Sequence, residues 1–318
     1  EAKKFMVISI SLLIISILIT IVEVVLLEKG INGMVEAMLI SAILSFITYT
    51  FFNRKYFSFS VNLKYVKAPL LFSLPLIINA LSSYIFMYSD RIILEKYVPT
   101  YLSIGAIGLY ALADRIAFLF KAFVNQVQSA FQPHFYKLFK VDPEKAKMEA
   151  YKASEIVMLI VAIGIVLTTL FSRELVTLVF PEEYHSVWPM IPVLSTCFFF
   201  RSLYSFSNLG IFFQKKTIYT TITTFIAAAI NICLNLVLIP IIGVYGAVFS
   251  TVASFFASFL IIRIIANKIE PIPMNIALAV KCTLIMFASM VGVWLLHENV
   301  SNNYMILLLK FSTYIQNF

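Results

Sequence analysis

Long apolar runs dominate this sequence of 318 residues and leave little room between them. A helix that crosses a bilayer needs about 20 apolar residues, because each residue rises about 1.5 Å through a hydrocarbon core about 30 Å thick. Backbone polar groups in lipid must be paired within the segment, so such runs predict helices rather than strands. Ten runs reach or approach this length, at 5–27, 31–52, 68–94, 103–135, 154–172, 187–212, 217–239, 243–266, 274–296 and 304–318. The predicted fold class is an all-α integral membrane protein, a polytopic bundle of about ten transmembrane helices.

Composition excludes several other classes of protein. Charged residues make up 13% of the chain and hydrophobic residues 61%, whereas soluble proteins carry about 25% charged residues. The net charge of +8 lies in short basic clusters between apolar runs, a pattern typical of membrane topology rather than of nucleic-acid binding. The three cysteines and three histidines are scattered, without the spacing of a metal site, and no catalytic motif is present. We therefore predict a protein that is not an enzyme and has no metal and no cofactor.

The distribution of lysine and arginine predicts how the spans face the two sides of the membrane. With the amino terminus in the cytoplasm and strict alternation, the cytoplasmic segments hold fifteen Lys and Arg residues and the opposite side holds three. Such an excess of cytoplasmic cations is typical of multi-pass proteins of the cytoplasmic (inner) membrane. The longest connector, 136–153, is basic, and Asp142-Pro143-Glu144 within it predicts the start of a helix.

One predicted helix carries a polar stripe through the membrane. Along the run 103–135, five polar residues fall within about 60° of arc at about 100° per residue: Asp114, Lys121, Asn125, Gln128 and Gln132. A second polar row beside the stripe contains Arg115, Gln126 and Ser129. The stripe either packs against partner helices, with Asp114 neutralising Arg115 or Lys121, or lines a water-filled cavity. Five polar residues in a row exceed what packing needs, which favours the cavity.

Other charges also lie within the predicted spans. Arg201 is about 21 Å into the run 187–212, and its neighbours include no carboxylate. Arg91 fits a ligand site and an interfacial pairing with Asp90 or Glu95 equally well. The deep charges are cationic in excess, which favours an anionic ligand such as a phosphate or diphosphate, because guanidinium groups bind these groups bidentately. These deep charges are Arg91, Arg115, Lys121 and Arg201 against Asp90 and Asp114.

Several segments resemble a known family of membrane transporters. Their order and spacing are similar to those of the polysaccharide transporter branch (Wzx-type flippases) of the multidrug/oligosaccharidyl-lipid/polysaccharide exporter superfamily. The segments are Leu71–Ile77 with Ser89–Leu94, then Ile107–Ile116, then Asn231–Asn235 with Leu238-Ile239-Pro240 and Gly243–Ala247. The resemblance implies two six-helix lobes that face each other across a central cavity, with two further helices in many members.

The resemblance also implies a division of this chain. Residues 1–67 would hold the last two helices of the first lobe and a cytoplasmic connector, residues 68–268 the complete second lobe, and residues 269–318 an extra pair of helices. The chain begins at Glu1 and ends at Phe318 within an apolar run, so we expect a fragment that lacks the first four helices of the family pattern.

In such flippases a lipid diphosphate-linked oligosaccharide enters from the cytoplasmic leaflet, and its headgroup occupies a cationic lumen while two lobes alternate access. The resemblance implies substrate binding by two groups of residues: cations that hold the diphosphate or acidic sugars, and amides that contact sugar hydroxyls. Asp90 and Asp114 would pair charges or couple an ion, either a proton or sodium. The bilayer, a polysaccharide polymerase and glycosyltransferases are the expected partners. The cations are Arg91, Arg115, Lys121 and Arg201, and the amides are Asn125, Gln126, Gln128 and Gln132.

Four alternatives stay open at this point. A multidrug exporter of the same superfamily would call for acidic residues in the lumen, and a peptidoglycan-precursor exporter would share the basic cavity. An integral-membrane polysaccharide polymerase or glycosyltransferase would need acid and base groups in a sizeable extramembrane loop, which the short connectors do not offer. A purely structural membrane subunit would pair every deep charge in a dry interface.

Overall fold

The protein is a chain of long helices. The computed structural model describes the backbone of residues 2–54, 63–97 and 100–316, and the side chains of 5–54, 77, 80–97 and 105–296. In these ranges the chain forms no β-strand, and six of its helices are long and apolar enough to cross a membrane. The α-helices are α1 (Ala2–Ile21), α2 (Gly30–Asn53), α3 (Leu63–Tyr97), α4 (Thr100–Val141), α5 (Pro143–Val179), α6 (Met190–Phe213), α7 (Ile218–Ile242), α8 (Val244–Ile269) and α9 (Ile276–Gln316). The predicted all-α, multi-pass membrane fold is confirmed.

Contacts divide the chain into two compact units, residues 1–69 and residues 70–318. In the first unit, α1 continues into one turn of π-helix, Val22–Leu26, and a short turn leads to α2. The ammonium of Lys29 in this turn lies 2.6 Å from a carboxylate oxygen of Glu23 and 2.6 Å from one of Glu36. This hairpin therefore pairs one ammonium with two carboxylates around its own turn.

The second unit is built around α6. Nearly every side chain of α6 from Met190 to Ile211 is buried, because α4, α5 and α8 pack around it. Helices α7 and α8 form a hairpin whose turn requires glycine at Gly243, with a φ of +58° and a ψ of −132° that side chains with a Cβ rarely adopt. This arrangement places α6 at the centre, with faces of α4, α7 and α8 around it.

A non-helical segment, residues 270–275, crosses the carboxyl end of α6. Ile272 on this segment is buried, and its carbonyl accepts a hydrogen bond from Arg263 Nη1 at 2.6 Å. The Glu270 carbonyl lies so close to Gly210 that a Cβ added at Gly210 would be 2.0 Å from its oxygen. We call residues 270–275 the strap, because they connect α8 to α9 while holding the end of α6.

The helices extend beyond the predicted spans in three places. α4 and α5 both continue into the predicted connector 136–153, and only Asp142 separates them. Asp142 is the N-cap of α5, accepting a hydrogen bond from the Lys145 N–H at 3.0 Å, so the helix start predicted at Asp142-Pro143-Glu144 is confirmed. Residues 276–296 and 304–316 of the last two predicted spans lie in the single helix α9, because the sequence between them contains neither glycine nor proline.

Candidate functional site

A cavity of about 600 Å³ lies within the second unit. Helices α3, α4, α6, α7 and α8 all contribute to its wall, and every lining residue lies between Ser83 and Ser258. The wall contains both polar and apolar side chains, including the rings of Phe118, Phe198 and Phe255 together with hydroxyl, amide and charged groups. A polar cavity inside a membrane-spanning unit is the environment expected for a transported polar ligand.

The polar stripe of α4 faces this cavity. All five residues of the stripe lie in its wall: Asp114, Lys121, Asn125, Gln128 and Gln132. Arg201 of α6 lies in the same wall. The helical spacing that groups the five residues in the sequence therefore also groups them in space, and the interpretation of the stripe as a cavity wall is correct.

Arg115 and Gln126 lie elsewhere. Both side chains are exposed, and neither is part of the cavity wall. The reason is helix geometry, since at about 100° per residue Arg115 and Gln126 are rotated by about 100–120° from Asp114. Ser129, the third member of the second polar row, is rotated by about 60° and does lie in the wall. Arg115 therefore does not line the cavity whose wall Lys121 and Arg201 share.

The two cations of the cavity wall have aromatic rather than acidic neighbours. The Arg201 guanidinium carbon lies 5.0 Å from the centre of the Tyr204 ring, and Lys121 Nζ lies 4.9 Å from the centre of the Phe118 ring. Lys121 Nζ also lies 4.0 Å from the Met87 sulfur. Among the described residues, neither cation has a carboxylate within ion-pair distance. Two positive charges are thus available to an anion in the cavity.

Arg91 does not pair with Asp90 or Glu95 as considered from the sequence. Its Nη2 lies 3.2 Å from Asp114 Oδ2 on the neighbouring helix, and both side chains are about one-third exposed. Asp114 therefore neutralises Arg91 rather than Arg115 or Lys121. Sequence proximity favours pairs on one helix, but here α3 and α4 pack so that the two partners meet across 23 residues of sequence.

Asp90 lies at the cavity wall in a cluster of neutral polar groups and is 2% exposed. Its carboxylate accepts hydrogen bonds from the Tyr110 hydroxyl, from Asn235 Nδ2 at 2.5 Å and from the Thr251 hydroxyl at 2.9 Å. Asn231 extends the cluster, accepting hydrogen bonds from Asn235 at 3.0 Å and from Ser89 at 2.8 Å. Among the described residues, Asn235 Oδ1 and Asn231 Nδ2 are buried without a hydrogen-bond partner. We call these six residues the Asp90 cluster.

Sequence reasoning missed the partners of Asp90. Asn231 and Asn235 stand four residues apart in an apolar span, and an amide pair at this spacing lies on one face of a helix. That spacing was the available signal for α7. The sequence does not pair Tyr110 or Thr251 with Asp90, because each lies on a different helix and meets Asp90 only through packing. Across the described residues, no three His, Cys, Asp or Glu side chains come together as in a metal centre.

The sequence matches one family model over residues 1–189, a range that covers more than half of the chain. That model describes polysaccharide biosynthesis proteins. The chain belongs to this family. No curated protein matches this polysaccharide biosynthesis protein in sequence.

Among solved structures, this polysaccharide biosynthesis protein is similar to the lipid II flippase MurJ in an inward closed conformation. The TM-score is 0.68 at 16% sequence identity, and the match covers 92% of this chain and 67% of the flippase. A transporter of the MOP superfamily from Pyrococcus furiosus is also similar, with a TM-score of 0.48, 17% identity, and coverage of 70% of this chain and 51% of that one. The first similarity shows that the chain shares the multi-pass helical fold of that protein.

Proposed function

We propose that this chain is part of a Wzx-type flippase, a transporter that moves a lipid diphosphate-linked oligosaccharide across the cytoplasmic membrane. The product would serve the synthesis of a surface polysaccharide such as O-antigen, capsule or exopolysaccharide. The observation that carries the proposal is the pair of cations, Lys121 and Arg201, without acidic partners among the described residues of the cavity wall. Residues 68–268 would form one lobe of the transporter, residues 1–67 would belong to the other lobe, and residues 269–318 would be an addition to the core.

The chemistry of the cavity suits a diphosphate. A guanidinium donates two parallel hydrogen bonds to a phosphate group, and an ammonium adds a point charge on a flexible stem. In the membrane interior these interactions are stronger than in water, because the local dielectric constant is lower. A lipid-linked sugar could bind with its diphosphate at Lys121 and Arg201 and its polyprenyl tail in the bilayer, and it would cross as the two lobes rock.

The same wall argues against the other classes. A drug exporter for cationic compounds needs available carboxylates, but Asp114 is paired with Arg91, and Asp90 is enclosed by hydrogen-bond donors. A structural subunit would pair all its deep charges in a dry interface. A polymerase or glycosyltransferase would need acid and base groups outside the membrane, where the helices are joined by short connectors.

A peptidoglycan-precursor exporter is the second candidate. The specific observation in its favour is the fold similarity to a lipid II flippase over 92% of this chain. The match to the polysaccharide biosynthesis family supports the first candidate instead. Both candidates use a cationic cavity, so the identity of the sugar separates them.

We further propose that the Asp90 cluster couples transport to an ion, with a proton or sodium as the coupling species. A buried carboxylate surrounded by neutral hydrogen-bonding groups can take up a proton or a small cation without a competing basic side chain. The unpaired Asn235 Oδ1 is a further oxygen beside the carboxylate. Asp114 has a different role in this proposal, because its ion pair with Arg91 fixes α3 against α4.

The test of cargo binding is Arg201→Ala in the full-length protein. We expect farnesyl diphosphate to bind at least tenfold more weakly, because a charge-assisted hydrogen bond contributes about 1.5–3 kcal/mol. Cells that depend on this variant should lose surface polysaccharide at a normal protein level. Arg115→Ala, outside the cavity wall, should have a clearly smaller effect.

Lys137→Ala provides a charge-matched control, since this exposed lysine lies on α4 outside the cavity wall. Normal polysaccharide and unchanged diphosphate binding in Arg201→Ala would refute the proposal. A loss of binding that is equal in the Lys137→Ala control would show that overall charge, rather than the cavity, attracts the diphosphate.

A further inference from the structure

Charge is segregated along the cavity. Lys121 and Arg201 stand eleven residues before Gln132 and Phe212 on their respective helices, a distance of about 16 Å along each axis. Between these levels, the described polar groups that α4 and α6 contribute to the wall are all uncharged: Asn125, Gln128, Ser129, Gln132, Tyr204 and Asn208. The beginning of α7 adds Thr220 and Thr224. The cavity therefore has a charged part, which contains Lys121 and Arg201 together with Asp90 and Asp114, and a neutral part, which lies toward the predicted cytoplasmic ends of α4 and α6.

The two helices run side by side through both parts. Ser205 of α6 donates a hydrogen bond to Gln128 of α4 at 3.1 Å, four residues after Arg201 and seven after Lys121. Further along, the rings of Tyr136 and Phe213 meet edge to face, with their centres 5.5 Å apart. A ligand with its diphosphate at Lys121 and Arg201 could thus extend between α4 and α6 into the neutral part.

Hydrogen bonds in the neutral part orient two amides. The Ser205 hydroxyl donates a hydrogen bond to the Gln128 amide oxygen, and the Thr220 hydroxyl donates one to the Asn208 amide oxygen at 2.9 Å. Their amide N–H groups are the donors left for a ligand, and the Asn125 side chain has no hydrogen-bond partner among the described residues. Donors of this kind match hydroxyl and N-acyl oxygens.

An aromatic surface closes this part of the wall. Phe212 lines the cavity, and its ring centre lies 6.4 Å from that of Tyr136. The Tyr136 hydroxyl accepts a hydrogen bond from Gln132 Nε2 at 2.6 Å, which connects the aromatic group to the amide row. Aromatic faces are negative and attract the positively polarised C–H groups of a sugar ring.

We infer that the neutral part of the cavity is a saccharide subsite for an uncharged sugar, formed by Gln128, Gln132, Asn208, Phe212 and Thr220. The inference rests on the proposed function and adds the class of sugar. A carboxylated sugar would lose its hydration here without gaining a cation among the described wall residues of the neutral part, which is energetically costly. A hydroxylated or N-acetylated sugar would exchange its hydrogen bonds with water for hydrogen bonds with oriented amides.

The experiment measures how much a sugar adds to diphosphate binding by the full-length protein in lipid nanodiscs. The probes are farnesyl diphosphate, the same lipid diphosphate carrying N-acetylglucosamine, and the same carrying glucuronic acid. We expect N-acetylglucosamine to tighten binding about tenfold, corresponding to one or two net hydrogen bonds, and glucuronic acid to give no gain. Asn208→Ala and Gln128→Ala should each reduce the gain to about threefold or less while farnesyl diphosphate binds as before.

The gain is the ratio of two affinities, with and without the sugar, that are measured on the same protein preparation. Partial unfolding of a variant lowers the amount of binding of both ligands equally, so it does not resemble the loss of the subsite. Asn267→Ala is the matched control, because this exposed amide on α8 lies outside the cavity wall and should retain the full gain. Methyl N-acetylglucosaminide alone, followed by saturation-transfer NMR, tests the subsite independently of the diphosphate. It should bind wild-type protein and not Asn208→Ala.

The failures are distinguishable. If farnesyl diphosphate does not bind, or binds Arg201→Ala equally well, the proposed cargo is refuted while the glycoside measurement still decides the subsite. If farnesyl diphosphate binds but the sugar adds nothing, or the gain survives in both amide variants, the saccharide subsite is refuted. Equal gains from N-acetylglucosamine and glucuronic acid would refute its preference for uncharged sugars.

Discussion

The hairpin of α1 and α2 and the second unit use charge in opposite ways. In the hairpin, Lys29 forms ion pairs with Glu23 and Glu36 around the turn, and most apolar side chains of both helices are exposed. In the second unit, charged residues from α3, α4 and α6 lie in the wall of an internal cavity. Both regions satisfy the length and apolarity that a membrane span needs. The difference teaches that apolar length identifies a span, whereas the position of its charges indicates whether the span can handle a polar ligand.

The largest difference should appear when one carboxylate from each region is neutralised. Asp90→Asn removes the charge of the Asp90 cluster but keeps the side-chain shape, whereas Glu36→Gln changes a half-exposed carboxylate beside Lys29. If Asp90 binds the coupling ion, ion-driven transport of a fluorescent lipid diphosphate sugar in proteoliposomes should fall about a hundredfold in Asp90→Asn, because a charged, multiply hydrogen-bonded ligand is lost. Glu36→Gln should transport at the wild-type rate.

The ion gradient supplies the control for this comparison. With no sodium or proton gradient imposed, Asp90→Asn and the wild-type protein should equilibrate the lipid at similar rates. Undiminished gradient-driven transport in Asp90→Asn would exclude Asp90 as the coupling site, and an equal loss in Glu36→Gln would remove the distinction between the two regions.

Helix geometry made part of the site predictable from the sequence. Asp114, Lys121, Asn125, Gln128 and Gln132 share one face because their spacing follows the helical period, and lipid cannot accommodate that face. The helical fold and the start of α5 at Asp142 followed from equally local signals. These features depend on the identity of residues within about twenty positions of one another along the chain.

The rest of the site depends on which helices pack together. Asp90 meets Asn235 and Thr251 across 145 and 161 residues of sequence, and no local spacing predicts such contacts. The pairing of Arg91 with Asp114 likewise requires the packing of α3 on α4. Arg115 carries a charge that favours a cavity position, but its rotation of about 100° from Asp114 places it outside the wall that contains Lys121 and Arg201.

A smaller effect, on stability, concerns two glycines of the second unit. A Cβ at Gly210 would lie 2.0 Å from the Glu270 carbonyl oxygen of the strap, whereas a Cβ at Gly108 on α4 would have no neighbour within 4 Å. Gly210→Ala should therefore destabilise the protein by about 1–3 kcal/mol, as overpacking does, while Gly108→Ala should stabilise its helix by up to about 1 kcal/mol.

Thermal unfolding of the two variants in the same detergent measures both effects. In the hairpin, Gly33→Ala is the substitution that corresponds to Gly210→Ala, since a Cβ at Gly33 would lie 2.6 Å from the Glu23 carbonyl oxygen. If Gly210→Ala unfolds at the wild-type temperature, the strap moves to accommodate the added methyl group at no cost, and its contact with Gly210 does not stabilise α6. If Gly108→Ala is as unstable as Gly210→Ala, the loss comes from another cause than the strap.

The smallest effect is a pH dependence of opposite sign in the two regions. A hydrogen bond from Lys147, whose Nζ lies 2.8 Å from the carboxylate, lowers the pKa of Glu270 in the strap below the ordinary 4.5. A hydrogen bond to Glu23, followed by one to Glu36, raises the pKa of Lys29 in the hairpin turn above the ordinary 10.5. Folding lowers the first pKa and raises the second, so the two stabilising contributions are lost at opposite ends of the pH scale.

The contribution of Glu270 is complete above its unfolded-state pKa and disappears as the pH falls through its lower folded-state value. The contribution of Lys29 is complete below its unfolded-state pKa and disappears as the pH rises through its higher folded-state value. Amide hydrogen exchange, expressed as protection relative to the intrinsic rate at each pH, should show the strap 270–275 opening below pH 4.5 and the turn 27–29 opening above pH 10.5. Glu270→Gln should abolish only the acidic change and Lys29→Gln only the alkaline one. Both changes should be small because these side chains contact water, and a strap that opens with rising pH would contradict the role assigned to Lys147 and Glu270.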